Sequence, residues 1–381
     1  MRIYEKEERL ALLTADRRNL HKIPEYGYDL PETRKYIMNV LQETSPDVLE
    51  MCDEGIKAVY FAKTDEPAIA FRSDMDALKQ EERTGCAFAS KHPGMMHACG
   101  HDGHMATLLM LARILDGRRS QLRRSIVLLF QPAEENFGGA RRMIQAGALE
   151  NPKVGEIYGM HMMPQIPKGK IGCKSGALMS LVDAMRIVFL GKSAHGAAPQ
   201  QGNDAICAMA HFVLSCQSAI ARRISPFEPS VFTVGTVQAG TAFNIVANRA
   251  EITASTRGYS HETAHMLREI IDASIDSANR LYGTRSEKDV WVSYPAVVND
   301  AEKTDLLRRL AGDLWMDAEP VTVSEDFSEF QKEIPGVYFF LGYGDAEHHA
   351  ALHSADFDFD ETALLTGAEI YERLAFRDMR A

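Results

Sequence analysis

The stretch "HACGHDGH" (residues 97–104) packs three histidines, a cysteine and an aspartate into eight positions. Cys99 and His101 are two apart, so on extended backbone both side chains project to one side. A thiolate and an imidazole suit Zn²⁺ and its neighbours. Taken alone, the pair fits a metal site and a helix-entry loop with capped or solvated histidines equally well. His97 and His104 carry no assignment beyond structural support. "QPAEEN" places Glu134 and Glu135 at the end of a wholly apolar run. Adjacent side chains on extended backbone point in opposite directions, so one acid can bind metal while the other faces a water. Acids on a surface loop are ordinarily just solvated. At the mouth of a buried strand they need a compensating charge. "RSDMDAL" adds Asp74 and Asp76, one of which is placed to orient a ligating histidine from behind. The plainer reading of that segment is an Asp-rich turn. His161 ends "IYGMH" and His353 lies in "LHSADFDFDE".

These clusters need elements to hold them. Short apolar runs, "KAVYFA" (57–62), "AIAF" (68–71), "SIVLLF" (125–130) and "IYGM" (157–160), alternate with helical segments at 31–42 and 105–115. That alternation predicts an α/β domain with a mainly parallel sheet buried on both faces. Chemistry in such folds gathers past the carboxyl ends of the strands, where the polar clusters fall. From residue 183 the pattern changes to half-exposed strands and two helices in the order β-α-β-β-α-β, a ferredoxin-like split unit. The second of its helices runs from Ser260 to a stop at Gly283. Apolar strand character resumes at "GVYFFLG" (336–342), followed by a last helix near 360–376. The expected organisation is a catalytic domain from 1–182 and 298–381 with a smaller domain, 183–297, inserted into it.

The 381 residues allow two domains. A net charge of −11 argues against a nucleic-acid surface, which needs a basic stripe. No apolar run approaches the ~20 residues of a membrane span, and the N-terminus has no signal-peptide pattern. The six cysteines (52, 86, 99, 173, 207, 216) show no disulfide spacing, which suits reduced thiols in the cytoplasm.

With these residues assembled, the chain resembles the metal-dependent amidohydrolases that include aminoacylases, hippurate hydrolases and plant auxin-conjugate hydrolases. The landmarks run along nearly the whole chain: "RRNLHKIPEYGYDLPETRKYI" (17–37), "FRSDMDAL" (71–78), "HACGHDGH", "FQPAEEN" (130–136), "GMHMMP" (159–164), "GKSAHGAAP" (191–199), "TVSEDFSEF" (322–330) and "LHSADFDFDE" (352–361). The resemblance implies a zinc-peptidase-like catalytic domain with an inserted dimerisation or lid domain, and hence a homodimer. It implies two divalent metal ions per subunit, zinc or manganese, held by Cys99, His101, Glu135, His161 and His353, with Cys99 bridging as a thiolate. Glu134 matches the general base. His195 matches a residue that reaches the partner subunit's site, and Asn244 and Arg257 match groups holding a substrate carboxylate. Asp76 and Asp102 are expected to support ligands from behind.

The implied reaction is hydrolysis of an N-acyl-L-amino acid. N-acetyl-diaminopimelate deacetylation and dipeptide hydrolysis are the alternatives within the class. A thiol hydrolase using Cys99 as nucleophile, and a non-catalytic metal- or ligand-binding protein, are the alternatives outside it. The chain departs from the family pattern at Ala194 (beside His195), Gln200 and Ala247. None of these is an expected metal ligand, so they bear on substrate preference and leave the reaction type untouched.

Overall fold

The computed structural model describes residues 4–136, 138–348 and 350–377. The chain forms two compact units, one of residues 1–178, 298–319 and 326–381, the other of residues 179–297 and 320–325.

The larger unit opens with helices α1 (Lys6–His21) and α2 (Pro31–Glu43) and an antiparallel pair, β1 (Val48–Cys52) and β2 (Gly55–Tyr60). Then follow β3 (Ala68–Asp74), α3 (His101–Arg118), β4 (Ile126–Gln131), α4 (Gly139–Gln145), β5 (Val154–Pro167), β6 (Ile171–Cys173) and β7 (Gly176–Met179). β2, β3 and β4 are buried along their entire lengths, as their Val/Ile/Leu/Phe content requires.

The smaller unit comprises β8 (Leu181–Leu190), α5 (Ala205–Arg223), β9 (Val231–Ala239), β10 (Arg249–Gly258), α6 (His261–Tyr282) and β11 (Arg285–Tyr294). Its four-stranded antiparallel sheet has the order β11-β8-β10-β9, the ferredoxin-like arrangement. α6 starts where the Ser260 hydroxyl accepts from the Thr263 N–H and stops at Gly283, which takes φ +64°. α5 is long and apolar enough to cross a membrane by length and composition. Its buried face, including Ala208, Phe212 and Cys216, instead packs into the small unit's core.

The chain then re-enters the larger unit through β12 (Val297–Asn299), α7 (Ala301–Ala311), β13 (Trp315–Asp317), α8 (Ser328–Glu333), β14 (Gly336–Gly344) and α9 (Ala363–Ala375). Residues 320–325 cluster with the smaller unit, although the residues that flank them belong to the larger one.

The eight-stranded sheet has the order β1-β2-β4-β3-β5-β14-β6-β13. Its middle, β4-β3-β5-β14, is parallel throughout, while the pairings of β1, β2 and β4 with one another and of β14 with β6 are antiparallel. The parallel block puts the carboxyl ends of β3 and β4 side by side. β5 outlasts both. Its pairing with β3 ends at Arg72–Gly159, so two residues further on His161 comes level with Asp74. His161 therefore sits inside a strand, paired with Phe340 of β14, rather than just past a strand end.

α3 begins four residues earlier than the apolar periodicity predicts. Gly100 adopts φ +86° and its carbonyl accepts from the Gly103 and His104 N–H groups, which turns "HDGH" into the helix's first turn. A Cβ at Gly100 would lie 2.9 Å from Met162 Cγ, next to His161. Replacing Gly100 by Ala should therefore destabilise the fold by ~2–4 kcal/mol, combining left-handed backbone strain with overpacking. Gly85 also has positive φ, but no atom lies within 4 Å of its Cβ position. Gly85→Ala should lose only ~1 kcal/mol. Urea denaturation of the two variants measures the difference, and equal midpoints would refute the close-approach account.

Candidate metal centre

In the larger unit the Cys99 thiol lies 3.3 Å from His161 Nε2 and 3.3 Å from His353 Nε2. Glu135 Oε1 lies 3.4 Å from His353 Nε2 and 3.8 Å from His101 Nε2. Two donor triads result, Cys99–His101–His161 and Cys99–Glu135–His353, with the sulfur common to both. All five expected ligands thus converge, from β5, the turn into α3, the loop after β4 and the loop before α9. Donors 2.0–2.3 Å from one tetrahedral ion sit ~3.3–3.8 Å from each other, which matches these spacings.

Two further observations test whether a cation fits. His101 Nε2 and Glu135 Oε1 are buried without a hydrogen-bond partner among the described residues, although both face the cluster. Such atoms carry a desolvation penalty that a metal bond would relieve. The centre is also crowded with acid. Burial and the charges of Glu135, Glu134 and Asp74 push the Cys99 thiol well above its ordinary range. Burial and Glu135 likewise push the Asp76 carboxyl well up. Divalent cations supply the missing positive charge and deprotonate a coordinating thiol.

The ligands are held by tautomer-fixing bonds. His101 Nδ1 donates to the Asp76 carbonyl at 2.7 Å, and His161 Nδ1 donates to the Met162 carbonyl at 2.8 Å, so each ring turns Nε2 to the centre. Asp76 meets His101 through its backbone oxygen. Its carboxylate instead accepts the Glu134 N–H at 2.9 Å and the Glu135 N–H at 3.2 Å. Glu134 is buried, with Oε2 4.0 Å from His101 Nε2. Ala133, just before it, and His353 both hold positive φ, +59° and +63°. Left-handed backbone at non-glycine residues costs on the order of 1–3 kcal/mol and concentrates at functional sites.

The expected role of Asp102 needs correction. One turn-position on from His101 it faces another side of α3, where Oδ2 accepts from Arg17 Nε at 3.0 Å and His21 Nδ1 at 2.7 Å. His21 also approaches Glu82 at 3.4 Å. Burial opposes the imidazolium here, but Asp102, with its hydrogen bond, and then Glu82 outweigh it and raise His21 to about 9. His97 lies beside His21 with both ring nitrogens unpartnered among the described residues, and burial pushes it down to about 3.

Sequence reasoning also left His104 unassigned. Its three-residue spacing from His101 is the available signal, because i and i+3 share a helix face, and the two rings lie 5.4 Å apart. His104 Nδ1 donates to Asp74 Oδ1 at 2.7 Å, and its Nε2 accepts from the Met162 N–H at 2.9 Å.

The smaller unit carries His195, Asn244 and Arg257. The Gly196 N–H donates to the Asn244 carbonyl at 2.8 Å and His195 bridges to Ile245, so His195 and Asn244 are neighbours. The exposed His195 ring accepts the Ala197 N–H at Nδ1, which leaves its Nε2–H as an outward donor. Arg257, half-buried on β10, touches only the Ser324 hydroxyl at 3.5 Å and pairs with no carboxylate among the described residues.

Comparison with known proteins places these observations. The model of "Peptidase family M20/M25/M40" matches residues 70–377. The N-acetylcysteine deacetylase of Bacillus subtilis is 35% identical over 366 residues, covering 94% of each chain. The N-acetyldiaminopimelate deacetylase of Bacillus velezensis is 33% identical, covering 96% of this chain and 97% of that one. A crystal structure of a Bacillus subtilis protein, described as a dinuclear metal-binding peptidase from the M20 family, superposes with a TM-score of 0.84 at 32% identity, covering 97% and 98% of the two chains.

The His21 cluster gives a pH prediction. Because the folded-state value exceeds the ordinary 6.5, its contribution is fully present below pH ~6.5 and is lost as pH rises through about 9. Unfolding free energies of the wild type and His21→Gln, compared from pH 6 to pH 10, should differ by on the order of 2–3 kcal/mol at the acid end and converge at the alkaline end. A difference that stays flat would show that His21 is not held as an imidazolium.

Proposed function

The chain belongs to peptidase family M20/M25/M40, and from that premise we propose that it hydrolyses the amide bond of N-acyl-L-amino acids at a two-metal centre. The observation that carries this reading is the pair of donor triads sharing Cys99, with the Glu134 carboxylate beside them. Cys99, His101, Glu135, His161 and His353 would hold two divalent cations, zinc or manganese. When bound, the cations supply Lewis acidity to a water and to the scissile carbonyl.

Glu134 acts as base and then as acid. Its Oε2 takes a proton from the attacking water and returns it to the leaving amine. His195 of a partner subunit supplies Nε2–H to the developing oxyanion, a contribution worth on the order of 10²–10³ in rate. Arg257 and Asn244 grip the substrate's free carboxylate, for which an unpaired guanidinium fork is suited. The thiol-hydrolase alternative fares worse, because a nucleophilic cysteine needs a lowered pKa, whereas burial and the acids around Cys99 raise it.

Dimerisation through the inserted domain is supported by the exposed β9 edge, with Val231 and Val237 at the surface, and by Leu214 of α5, 73% exposed. A cytoplasmic setting suits the six free cysteines. Deacetylation of N-acetyl-diaminopimelate is the second reading, favoured by the similarity to the deacetylase of that name.

The test is a hydrolysis screen over acetyl-, benzoyl- and indoleacetyl-amino acids and N-acetyl-diaminopimelate, with metal content measured on the same sample. Activity should disappear with EDTA and return with Zn²⁺ or Mn²⁺. Glu134→Gln should retain metal while losing at least ~10³-fold in kcat. Near-normal turnover in that variant would remove Glu134 as the base, and activity indifferent to chelation would remove the metal reading.

A further inference from the structure

His104 and Asp74 stand next to the ligands yet take no part in the chemistry proposed above. Asp74, His101 and His104 themselves form a compact group of metal-type donors. His104 nevertheless has no nitrogen to offer. Nδ1 is bonded to Asp74 and Nε2 to the Met162 N–H. An imidazole that donates at one nitrogen and accepts at the other is neutral, in the Nδ1–H tautomer, and coordinatively used up.

What these bonds hold is informative. Met162 is the residue whose carbonyl orients His161, at 2.8 Å from Nδ1. His104 therefore grips the N–H of the same residue whose C=O grips the ligand. Behind His104, Asp74 Oδ2 accepts from Arg72 Nη1 at 2.8 Å, and Arg72 Nη2 donates to Asp326 Oδ1 at 2.9 Å. Asp326 in turn accepts from the Gln131 side chain at 2.8 Å and the Ala140 N–H at 3.0 Å. Gln131 ends β4 and Ala140 lies in the first turn of α4, one on either side of Glu134 and Glu135. Arg72, Asp74, Gln131, His104 and Asp326 are all buried.

We infer that His104 is a positioning residue that sets His161 for metal binding through the Met162 N–H, at one end of a buried network whose other end, Asp326, anchors the Glu134–Glu135 loop. This inference rests on the metal centre proposed above. Deleting a group that orients a ligand in this way commonly weakens metal affinity 10–100-fold.

Three substitutions separate positioning from bulk support. His104→Ala removes both bonds. His104→Gln places an acceptor where Nε2 was and restores only the Met162 contact. His104→Asn places a donor where Nδ1 was and restores only the Asp74 contact. Zn²⁺ affinity, measured by chelator competition on full-length protein, should fall ~10–100-fold in the Ala and Asn variants and recover in the Gln variant. Circular dichroism and thermal melting report folding alongside. Folded Ala and wild-type proteins of equal affinity, or Gln and Asn variants that behave alike, would overturn the inference.

A measurement on the wild type needs no variant to fold. In ¹⁵N-histidine spectra His104 should show the Nδ1–H tautomer, with its Nε2 shift unmoved on Zn²⁺ loading while His161 Nε2 moves. Movement of His104 Nε2 on loading would make it a ligand and overturn the assignment. A wild type that binds no Zn²⁺ at all would instead remove the metal centre on which the inference rests.

Discussion

One buried residue ties together three of the segments that shape this centre. Asp76, just past β3, receives the His101 ring at its carbonyl and the Glu134 and Glu135 N–H groups at its carboxylate. Hydrogen bonds to a charged acceptor contribute ~1.5–3 kcal/mol each, and more is lost when a buried one is left unmade. Asp76 thereby ties the start of α3 and the loop after β4 to the end of β3. Its cost is electrostatic: burial and the adjacent Glu135 push the carboxyl toward the neutral form, which could accept fewer of those bonds. Cations in the neighbouring donor triads would favour the carboxylate and with it the bonds that shape the triads. Metal binding and local order are then mutually reinforcing.

The first turn of α3 separates two charge systems by helical geometry alone. Positions 101 and 104 share a face and turn their rings to the centre and to the network behind it. Position 102, about 100° away on a 3.6-residue helix, meets Arg17 and His21. Arg17 is fully buried and also reaches Asp358 and Glu361, so Asp102 lies in a structural ion cluster that fastens α1 and the loop before α9 to α3. Two aspartates near one ligand thus do different work. Asp76 organises the metal side and Asp102 the packing side.

This division explains what could be read from the residues in order. The apolar strands were legible because burial on both faces demands continuous Val, Ile, Leu and Phe. The residues that form the donor triads were legible chiefly through the family pattern, since His161 lies inside β5 and His101 in the first turn of α3. The role of Asp102 was not, since a motif's spacing does not reveal which face of a helix a residue takes until the helix start is known, and Gly100 moves that start. The strand at His161 was cut short because Pro164 and Pro167 read as a strand's end, whereas pairing with β14 carries β5 through to Pro167. α1 passed unremarked because Asp16, Arg17 and His21 share its buried face with Leu13 and Leu20, so its apolar spacing is weak. Tertiary ion pairing overrode the usual pattern there.

A last constraint concerns recognition. The Cys99 thiolate and the Glu134, Glu135 and Asp76 carboxylates would together offset two divalent ions, with Asp74 already paired to Arg72, so little surplus positive charge would remain. A substrate with a free carboxylate gains little attraction from such a centre and needs a cation elsewhere. On the proposed reading that cation is Arg257, which burial lowers but which a guanidinium's basicity keeps charged. Its only described partner is a weak serine contact, so no internal acid must be displaced when an anionic ligand arrives. The departures at Ala194, Gln200 and Ala247 all fall in the smaller unit, and none belongs to the donor triads of the larger one.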